Sequence, residues 1–294
     1  MNVSAKPHRD TIVIEDAELL SNTAYAGEQY VLRLRAPEIA RRARPGAFVH
    51  LRCAPSLAMR RPMSIMLVDP KQGTFDVLFK AHGAGTAELA ARKVGDALSV
   101  MGPIGLPFKL NGYRPRPLLI GGGVGIPPMV YLSDHLRRIK GVSPFVVMGS
   151  EVPFPFRAQP SRCMVPGMPE GVIGAMPLLE DWGIPSRLAS RQGYPGCFDG
   201  LVTELAASWV DALGEAARAE IEIFACGPTP MLKAVQAFAA RYGLPAQLSL
   251  EEYMACAVGG CAGCTVRVNL PGGPAMKRVC VDGPVFDASI VVFE

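Results

Sequence analysis

The stretch RPLLIGGGVGIPPMVYLSDHL, Arg116 to Leu136, decides how the chain is read. Arg116 to Ile120 is a short apolar run of buried-strand type, a glycine cluster follows, and Met129, Leu132, Leu136 and Ile139 then recur at helical spacing. Strand, glycine-rich turn and helix together form the opening unit of a parallel α/β domain. Gly121, Gly122, Gly123 and Gly125 permit a tight turn and a close backbone approach to a pyrophosphate, whose charge a helix N-terminus stabilises. A plain packing turn is the alternative. The nucleotide reading gains weight from Cys226-Gly227-Pro228, which ends a later strand candidate, Ile221 to Ala225, because ligands of open α/β sheets bind beyond the carboxyl ends of strands. A further strand at Pro144 to Met148 and a helix from Pro230 to Tyr242 extend this domain over about 112–248.

Toward the N-terminus the chain reads as β-rich. Tyr30 to Arg35 (YVLRLR) and Thr74 to Lys80 (TFDVLFK) alternate apolar and polar side chains, and Arg44-Pro45-Gly46 and Asp69-Pro70 mark turns between the runs. A small antiparallel barrel or sandwich fits this pattern. It contains Arg61-Pro62-Met63-Ser64, then Leu78-Phe79-Lys80, then Gly83-Ala84-Gly85-Thr86 opening an apparent helix. An arginine and a helix-opening Gly-Thr are what a second pyrophosphate needs, and the Ser64 hydroxyl can contact a flavin ring. An Arg-Pro strand edge and a glycine-rich turn are equally ordinary in β domains.

Toward the C-terminus, Val152 to Arg187 carries seven prolines and reads as a long irregular excursion. From about Ser249, β-like pieces at Thr265 to Val268 and Ile290 to Phe293 surround four of the eight cysteines, while Cys53, Cys163, Cys197 and Cys226 are isolated. Cys256-x4-Cys261-x2-Cys264, followed after fifteen residues by Cys280, has the plant-type ferredoxin spacing, in which one loop gives a [2Fe–2S] cluster three thiolates and a distant segment gives the fourth. The loop ACAVGGCAGC, 255–264, has no charged side chain, and Gly259, Gly260 and Gly263 let backbone N–H groups approach the sulfides. A four-cysteine zinc knuckle is the alternative, although it usually pairs its ligands in two C-x2-C-like units and only one is present here. Disulfides are the third option.

Composition narrows the remaining classes. At roughly 100–200 residues per domain, 294 residues make two or three compact units. Apolar residues at 49% and charged residues at 19%, with 31 Gly and 27 Pro, argue against disorder, collagen or coiled coil. A net charge of +4 in short scattered basic groups, with no aromatic-interleaved stripe, gives no nucleic-acid surface. The longest nearly apolar run, Pro117 to Leu132, is interrupted by glycines and a Pro-Pro pair and is shorter than a spanning helix, so no membrane span is expected. The opening MNVSAKPHRD lacks an apolar export core, which makes the expected compartment the cytoplasm.

In this order the motifs resemble the ferredoxin reductase-like flavoproteins. Arg61 to Ser64, Leu78 to Lys80, Gly83 to Thr86, Gly102-Pro103-Ile104-Gly105, the 121–127 loop and the Cys226-Gly227-Pro228 turn all take part in that likeness. The C-terminal cysteine module, ending in Cys280-Val281-Asp282-Gly283-Pro284-Val285-Phe286, narrows the resemblance to the electron-transfer subunits of class B dihydroorotate dehydrogenase. The resemblance implies a multi-domain β and α/β chain with an N-terminal antiparallel FAD-binding β-barrel over 1–111. It adds a central parallel α/β NAD(P)-binding domain over 112–248 and a small [2Fe–2S] iron–sulfur domain over 249–294.

On it, Arg61, Pro62, Met63, Ser64, Leu78, Phe79, Lys80, Gly85 and Thr86 hold FAD, with Ser64 near the flavin ring, Arg61 on the phosphates, and Gly85 and Thr86 on the pyrophosphate. Gly121, Gly122, Gly123, Gly125, Ser190, Arg191, Cys226, Gly227 and Pro228 serve the nicotinamide nucleotide, with Cys226 near the nicotinamide. Ser64 and Cys226 are the catalytic candidates, and Cys256, Cys261, Cys264 and Cys280 the metal ligands. Electrons would pass from an FMN-containing dihydroorotate dehydrogenase catalytic subunit through the cluster and FAD to NAD, in a hetero-oligomer serving pyrimidine biosynthesis. An NAD(P)H-dependent reductase serving another partner is the alternative. Two departures stand out. Met63 lies where relatives often carry an aromatic or β-branched residue. Ser190-Arg191 stands where the family often carries an acidic pair for the ribose of NAD, and resembles instead a site for the 2′-phosphate of NADP.

Overall fold

The computed structural model describes residues 11–110 and 114–293. The leading MNVSAKPHRD and the boundary expected between 111 and 112 fall outside these residues. Six strands close an antiparallel barrel: β1 (Val13–Tyr25), β2 (Gln29–Arg35), β3 (Phe48–Leu51), β4 (Arg61–Asp69), β5 (Thr74–Lys80) and β6 (Ala97–Ile104), in the order β1-β2-β5-β4-β3-β6. Helix α1 (Pro37–Arg42) links β2 to β3, and α2 (Ala84–Ala90) follows β5. The alternation in TFDVLFK has a direct structural meaning. Phe75, Val77 and Phe79 fill the barrel interior, while Leu78 on the other face packs into a second core with Phe108, Leu119 and Phe224. The outer face of β5 is therefore covered too, and its Asp76 is buried against a bidentate Arg33, Nε and Nη2 each at 2.8 Å.

The second unit is a six-stranded sheet formed by β7 (Arg116–Gly122), β8 (Phe145–Gly149), β11 (Ser186–Ala189), β12 (Ile221–Cys226), β13 (Ala246–Ser249) and β16 (Val285–Asp287). Its order is β11-β8-β7-β12-β13-β16, parallel except for β16, which runs antiparallel to β13. Helix α3 (Ile126–Leu136) follows β7, as the apolar spacing predicts, and α7 (Thr229–Tyr242) follows β12 where a helix over Pro230 to Tyr242 is expected. The proline-rich excursion contains the two-residue pair β9 (Gln159–Pro160) and β10 (Gly174–Ala175), then α4 (Pro177–Asp181). Its anchor is the buried carboxylate of Glu180, which accepts from Ser161 Oγ at 2.6 Å and the Arg162 N–H at 2.8 Å. Gln29 Nε2 donates to Pro153 O at 2.6 Å and ties the excursion to the barrel. Helices α5 (Val202–Asp211) and α6 (Glu215–Ala219) complete this unit.

The C-terminal segment adds the hairpin β14 (Thr265–Leu270) and β15 (Gly273–Arg278), then the short helix α8 (Val279–Asp282). It returns to the main sheet through β16, and Gln236 Nε2 holds it by donating to Val291 O at 2.8 Å. Ile290 to Phe293, expected as a strand, forms only an isolated bridge, Val268 to Val291. No helix among the described residues is long and apolar enough to cross a membrane.

Candidate functional site

The barrel, the sheet and the cysteine module together line an open cavity of about 940 Å³, at the upper end of the roughly 300–1,000 Å³ usual for ligand pockets. All nine residues expected around the flavin line it: Arg61 to Ser64 from β4, Leu78 to Lys80 from β5, and Gly85 and Thr86 at the head of α2. The opposite wall is made by Pro228 and Thr229, the run from Ser249 to Ala255, and Gly263. Met63 is buried between the cavity and the barrel core.

The two adjacent arginines divide their work. Arg60 Nη1 donates to Ser99 O at 2.7 Å and His50 O at 3.2 Å, and its Nη2 to Ser99 Oγ at 2.9 Å, so it ties barrel strands together. Arg61 lies across Gly85, where a Cβ would come within 3.2 Å of its Nε, and among the described residues it donates to Met59 O and Arg60 O alone. Its remaining donors, Lys80 and the open backbone at Gly83 suit a pyrophosphate. Thr86 is used differently from the expectation: its Oγ1 accepts the N–H groups of His82 and Gly83 and donates to Gly83 O, closing the turn that presents Gly85.

Parallel pairing brings the carboxyl ends of β7, β8, β11 and β12 to one edge, which assembles the glycine turn, Ser190-Arg191 and Cys226-Gly227-Pro228 there. The glycine turn and the Cys226 turn interlock. A Cβ at Gly125 would lie 2.2 Å from Cys226 O, and one at Gly122 would lie 2.5 Å from Met231 Sδ. Gly123 alone faces open space, at φ +55°. Ser190 is buried; its Oγ donates to Ser150 O at 2.7 Å and accepts the Gln192 N–H at 3.2 Å, binding β11 to the end of β8. Arg191 projects into solvent.

Cys226 is wholly buried behind the cavity wall, its Sγ 3.7 Å from Oε1 of Glu251. Burial first, and then the neighbouring carboxylate, push this thiol far up from its ordinary value. Burial likewise raises Glu251, to about 7. Glu251 lines the cavity, as does Tyr253, a residue 93% exposed. Neither stood out in the sequence. The available signal was the acidic pair Glu251-Glu252 at the carboxyl end of a strand, inside an otherwise apolar segment.

The cysteine loop meets the Cys280 segment at Val279 N–H to Cys264 O, 2.9 Å. Ala257, Gly259 and Ala262 adopt positive φ, which turns the backbone amides toward the sulfurs. The Cys261 N–H lies 3.4 Å from Cys256 Sγ and the Gly263 N–H 3.4 Å from Cys261 Sγ. Burial opposes ionisation of Cys256, but the N–H groups of Val258 and Cys261, the Cys261 thiol and the Gly260 N–H outweigh it and bring the thiol down to about 7. The side chains associate in twos, Cys256 with Cys261 and Cys264 with Cys280. No three His, Cys, Asp or Glu side chains among the described residues gather as the ligands of one ion would. Two thiol pairs, each within reach of amide donors, are the donor set that a two-iron cluster requires.

Barrel, nucleotide sheet and cysteine loop around one cavity define a ferredoxin reductase-like electron-transfer flavoprotein. The fold agrees with a chain of an NADH-dependent reduced ferredoxin–NADP oxidoreductase solved in work on flavin-based electron bifurcation: TM-score 0.74, 26% identity, covering 95% of this chain and 90% of that one. It also agrees with a ferredoxin reductase of carbazole 1,9a-dioxygenase, with a TM-score of 0.60 at 21% identity over 79% of this chain and 67% of that one. Residues 251–292 match the family described as the iron-sulfur cluster binding domain of dihydroorotate dehydrogenase B. Two curated relatives are each named dihydroorotate dehydrogenase B (NAD(+)), electron transfer subunit. That of Desulforamulus reducens is 33% identical and that of Bacillus caldolyticus 34%, each over 95% of this chain and 98% of the relative. The chain belongs to the family of dihydroorotate dehydrogenase B electron transfer subunits.

Proposed function

We propose that this chain carries electrons between an FMN-containing dihydroorotate dehydrogenase catalytic subunit and NAD, as part of a hetero-oligomer in pyrimidine biosynthesis. The observation that carries the reading is the shared cavity: the residues expected around FAD form one wall, and the segment leading into Cys256 forms the other. When bound, nicotinamide exchanges two electrons as hydride, the [2Fe–2S] cluster carries one at a time, and the flavin converts between them.

The chain's own residues have separable tasks. Arg61 and Lys80 neutralise the phosphates of FAD at the opening beside Gly83 and Gly85, Leu78 and Met63 exclude water, and Ser64 offers its hydroxyl to the ring system. Cys226, held by Glu251, shapes the place where nicotinamide meets flavin, while Gly123 and the open edge of the sheet receive the dinucleotide. Cys256, Cys261, Cys264 and Cys280 hold the cluster. Cys261 and Val258 are exposed on the loop and give the uncharged rim that faces the catalytic subunit. In this reading 1–111 is the flavin unit, 112–248 the nucleotide unit and 249–294 the cluster unit. None of the eight cysteines is in a disulfide among the described residues, which suits a reducing compartment such as the cytoplasm.

Anaerobic affinity purification from the native host tests the proposal, scored for flavin, iron and co-purifying protein. Recovery of FAD, two irons per chain and an FMN protein that oxidises dihydroorotate supports it. The same cofactors with a different partner would leave an NAD(P)H-dependent reductase and remove the pathway.

A further inference from the structure

We infer that Arg278 is a positioning residue for the cluster: its guanidinium fork locks the cysteine loop, at Gly259, onto the segment bearing Cys280 and so fixes how the loop's ligands stand relative to that cysteine. The inference rests on the [2Fe–2S] reading proposed above.

Three contacts converge on this arginine. Its backbone N–H and its Nε donate to Asp282 Oδ2, at 2.8 and 3.2 Å, across the single turn of α8 that contains Cys280. Its Nη1 reaches over to the loop and donates to Gly259 O at 3.2 Å. Gly259 is where the loop apex presses into this segment. It takes φ +82°, and a Cβ there would stand 2.6 Å from Val281 Cγ2 and 3.1 Å from Arg278 Nη1, so both the conformation and the close approach demand glycine. The Cβ-to-Val281 approach places Gly259 directly against the residue that follows Cys280. The loop apex thus gives its carbonyl to Arg278 while its Cα packs against Val281.

The loop itself, 255–264, has no charged side chain, and the amide contacts Cys261 N–H to Cys256 and Gly263 N–H to Cys261 lie within the loop. The backbone joins loop and Cys280 segment at Val279 N–H to Cys264 O. Arg278 adds a side-chain tie on the far side. Hydrogen bonds to cluster sulfurs favour the more negative, reduced state, and partners outside the ligand set orient the ligands. Asp282 already neutralises the guanidinium, so the effect of Arg278 comes from where its fork puts Gly259 rather than from bare charge. A lysine has the charge but cannot reach Asp282 and Gly259 together in fork geometry.

The test uses the full chain purified anaerobically, as wild type, Arg278→Met, Arg278→Lys and Asp282→Asn. Cluster reduction is followed by electron paramagnetic resonance in a redox titration, and iron retention is followed against a chelator. We expect Arg278→Met to lower the ratio of reduced to oxidised cluster at fixed potential about tenfold, ~59 mV for one electron. Iron loss should quicken about tenfold or more. Arg278→Lys should not restore either property, and Asp282→Asn, which leaves the arginine but frees it, should move both in the same direction by less. Wild-type potential, signal and iron retention in Arg278→Met overturn the inference, as does full rescue by Arg278→Lys, which would assign the effect to charge. If Arg278→Met does not accumulate as folded protein, Asp282→Asn decides alone, and wild-type values there overturn the inference. A wild-type chain that binds no two-iron cluster would instead sink the functional reading beneath it.

Discussion

The carboxylate of Glu251 accepts the thiol of Cys226, S to Oε1 at 3.7 Å, so a residue sealed behind the cavity wall and a residue lining it form one unit. Burial raises the Glu251 pKa to about 7 from an ordinary 4.5. Between those two values the folded chain holds a proton that the unfolded chain has released, and stability falls as pH rises through that window. Glu251→Gln removes the penalty. It should stabilise the chain at pH 8 by on the order of 1–3 kcal/mol and leave stability near pH 4 unchanged, in denaturant titrations at the two pH values. A gain of equal size at both would show that the carboxyl does not titrate in this range. The same substitution should flatten any inflection near pH 7 in the rate of flavin reduction by NADH.

Adjacent Arg60 and Arg61 should separate cleanly. Arg60→Ala deletes donors to His50 O, Ser99 O and Ser99 Oγ, and at roughly 1.5–3 kcal/mol for a hydrogen bond to a charged group it should lower the melting temperature with or without flavin. Arg61→Ala leaves the barrel's own hydrogen bonds nearly intact. Its expected signature is an FAD dissociation constant raised at least about tenfold, ~1.4 kcal/mol, with the flavin-free protein melting as before. Similar losses of stability in both variants would deny Arg61 its phosphate role.

Gly125 and Gly123 make a second contrasting pair. An alanine methyl at Gly125 would meet Cys226 O at 2.2 Å and Gly227 N at 2.5 Å, both backbone atoms that cannot turn aside. Gly125→Ala should therefore separate the two turns, costing about 3 kcal/mol or more and weakening NADH severely, while cluster absorbance persists. At Gly123 there is open space and only the positive φ to oppose a side chain, so Gly123→Ala should cost about 1–2 kcal/mol. Equal tolerance of both by calorimetry would contradict the interlocked geometry.

Cys261→Ser should abolish the cluster signal and leave FAD bound, because the flavin wall at β4, β5 and α2 draws nothing from that exposed thiol. Loss of flavin from a folded Cys261→Ser chain, read from its absorbance spectrum, would contradict that separation.

What the sequence made legible follows local periodicity. β2, β5, β7, β12, α3 and α7 stand where alternation or helical spacing predicts them, and the motif residues 61–64, 78–80 and 85–86 converge on one cavity. β11 escaped notice because four buried residues, Ser186 to Ala189, follow a proline-rich run and have no period to display. β15 was missed because GPAMKR, with an exposed Met276, lacks β-branched residues and pairs only with its neighbour β14. The return of Val285–Asp287 to the nucleotide sheet is a long-range pairing that no local pattern reports. Glu251 was illegible for a related reason: its importance arises from Cys226, and only the fold brings the two together.

The last prediction concerns the dinucleotide. Ser190 is committed to Ser150 O and the Gln192 N–H, so of the Ser-Arg pair only Arg191, free in solvent at the carboxyl end of edge strand β11, can meet an incoming phosphate. The relatives are named for NAD(+), whose ribose carries no such group. Arg191→Ala should accordingly leave the KM for NADH within about twofold. If the arginine pairs with a 2′-phosphate, the KM for NADPH should rise about tenfold, ~1.4 kcal/mol for one charge-assisted contact. Equal changes for the two nucleotides would make Arg191 an ordinary solvated loop residue. Ser190→Ala is the control: it strands Ser150 O, and should cost about 1 kcal/mol of stability with no preference between the nucleotides.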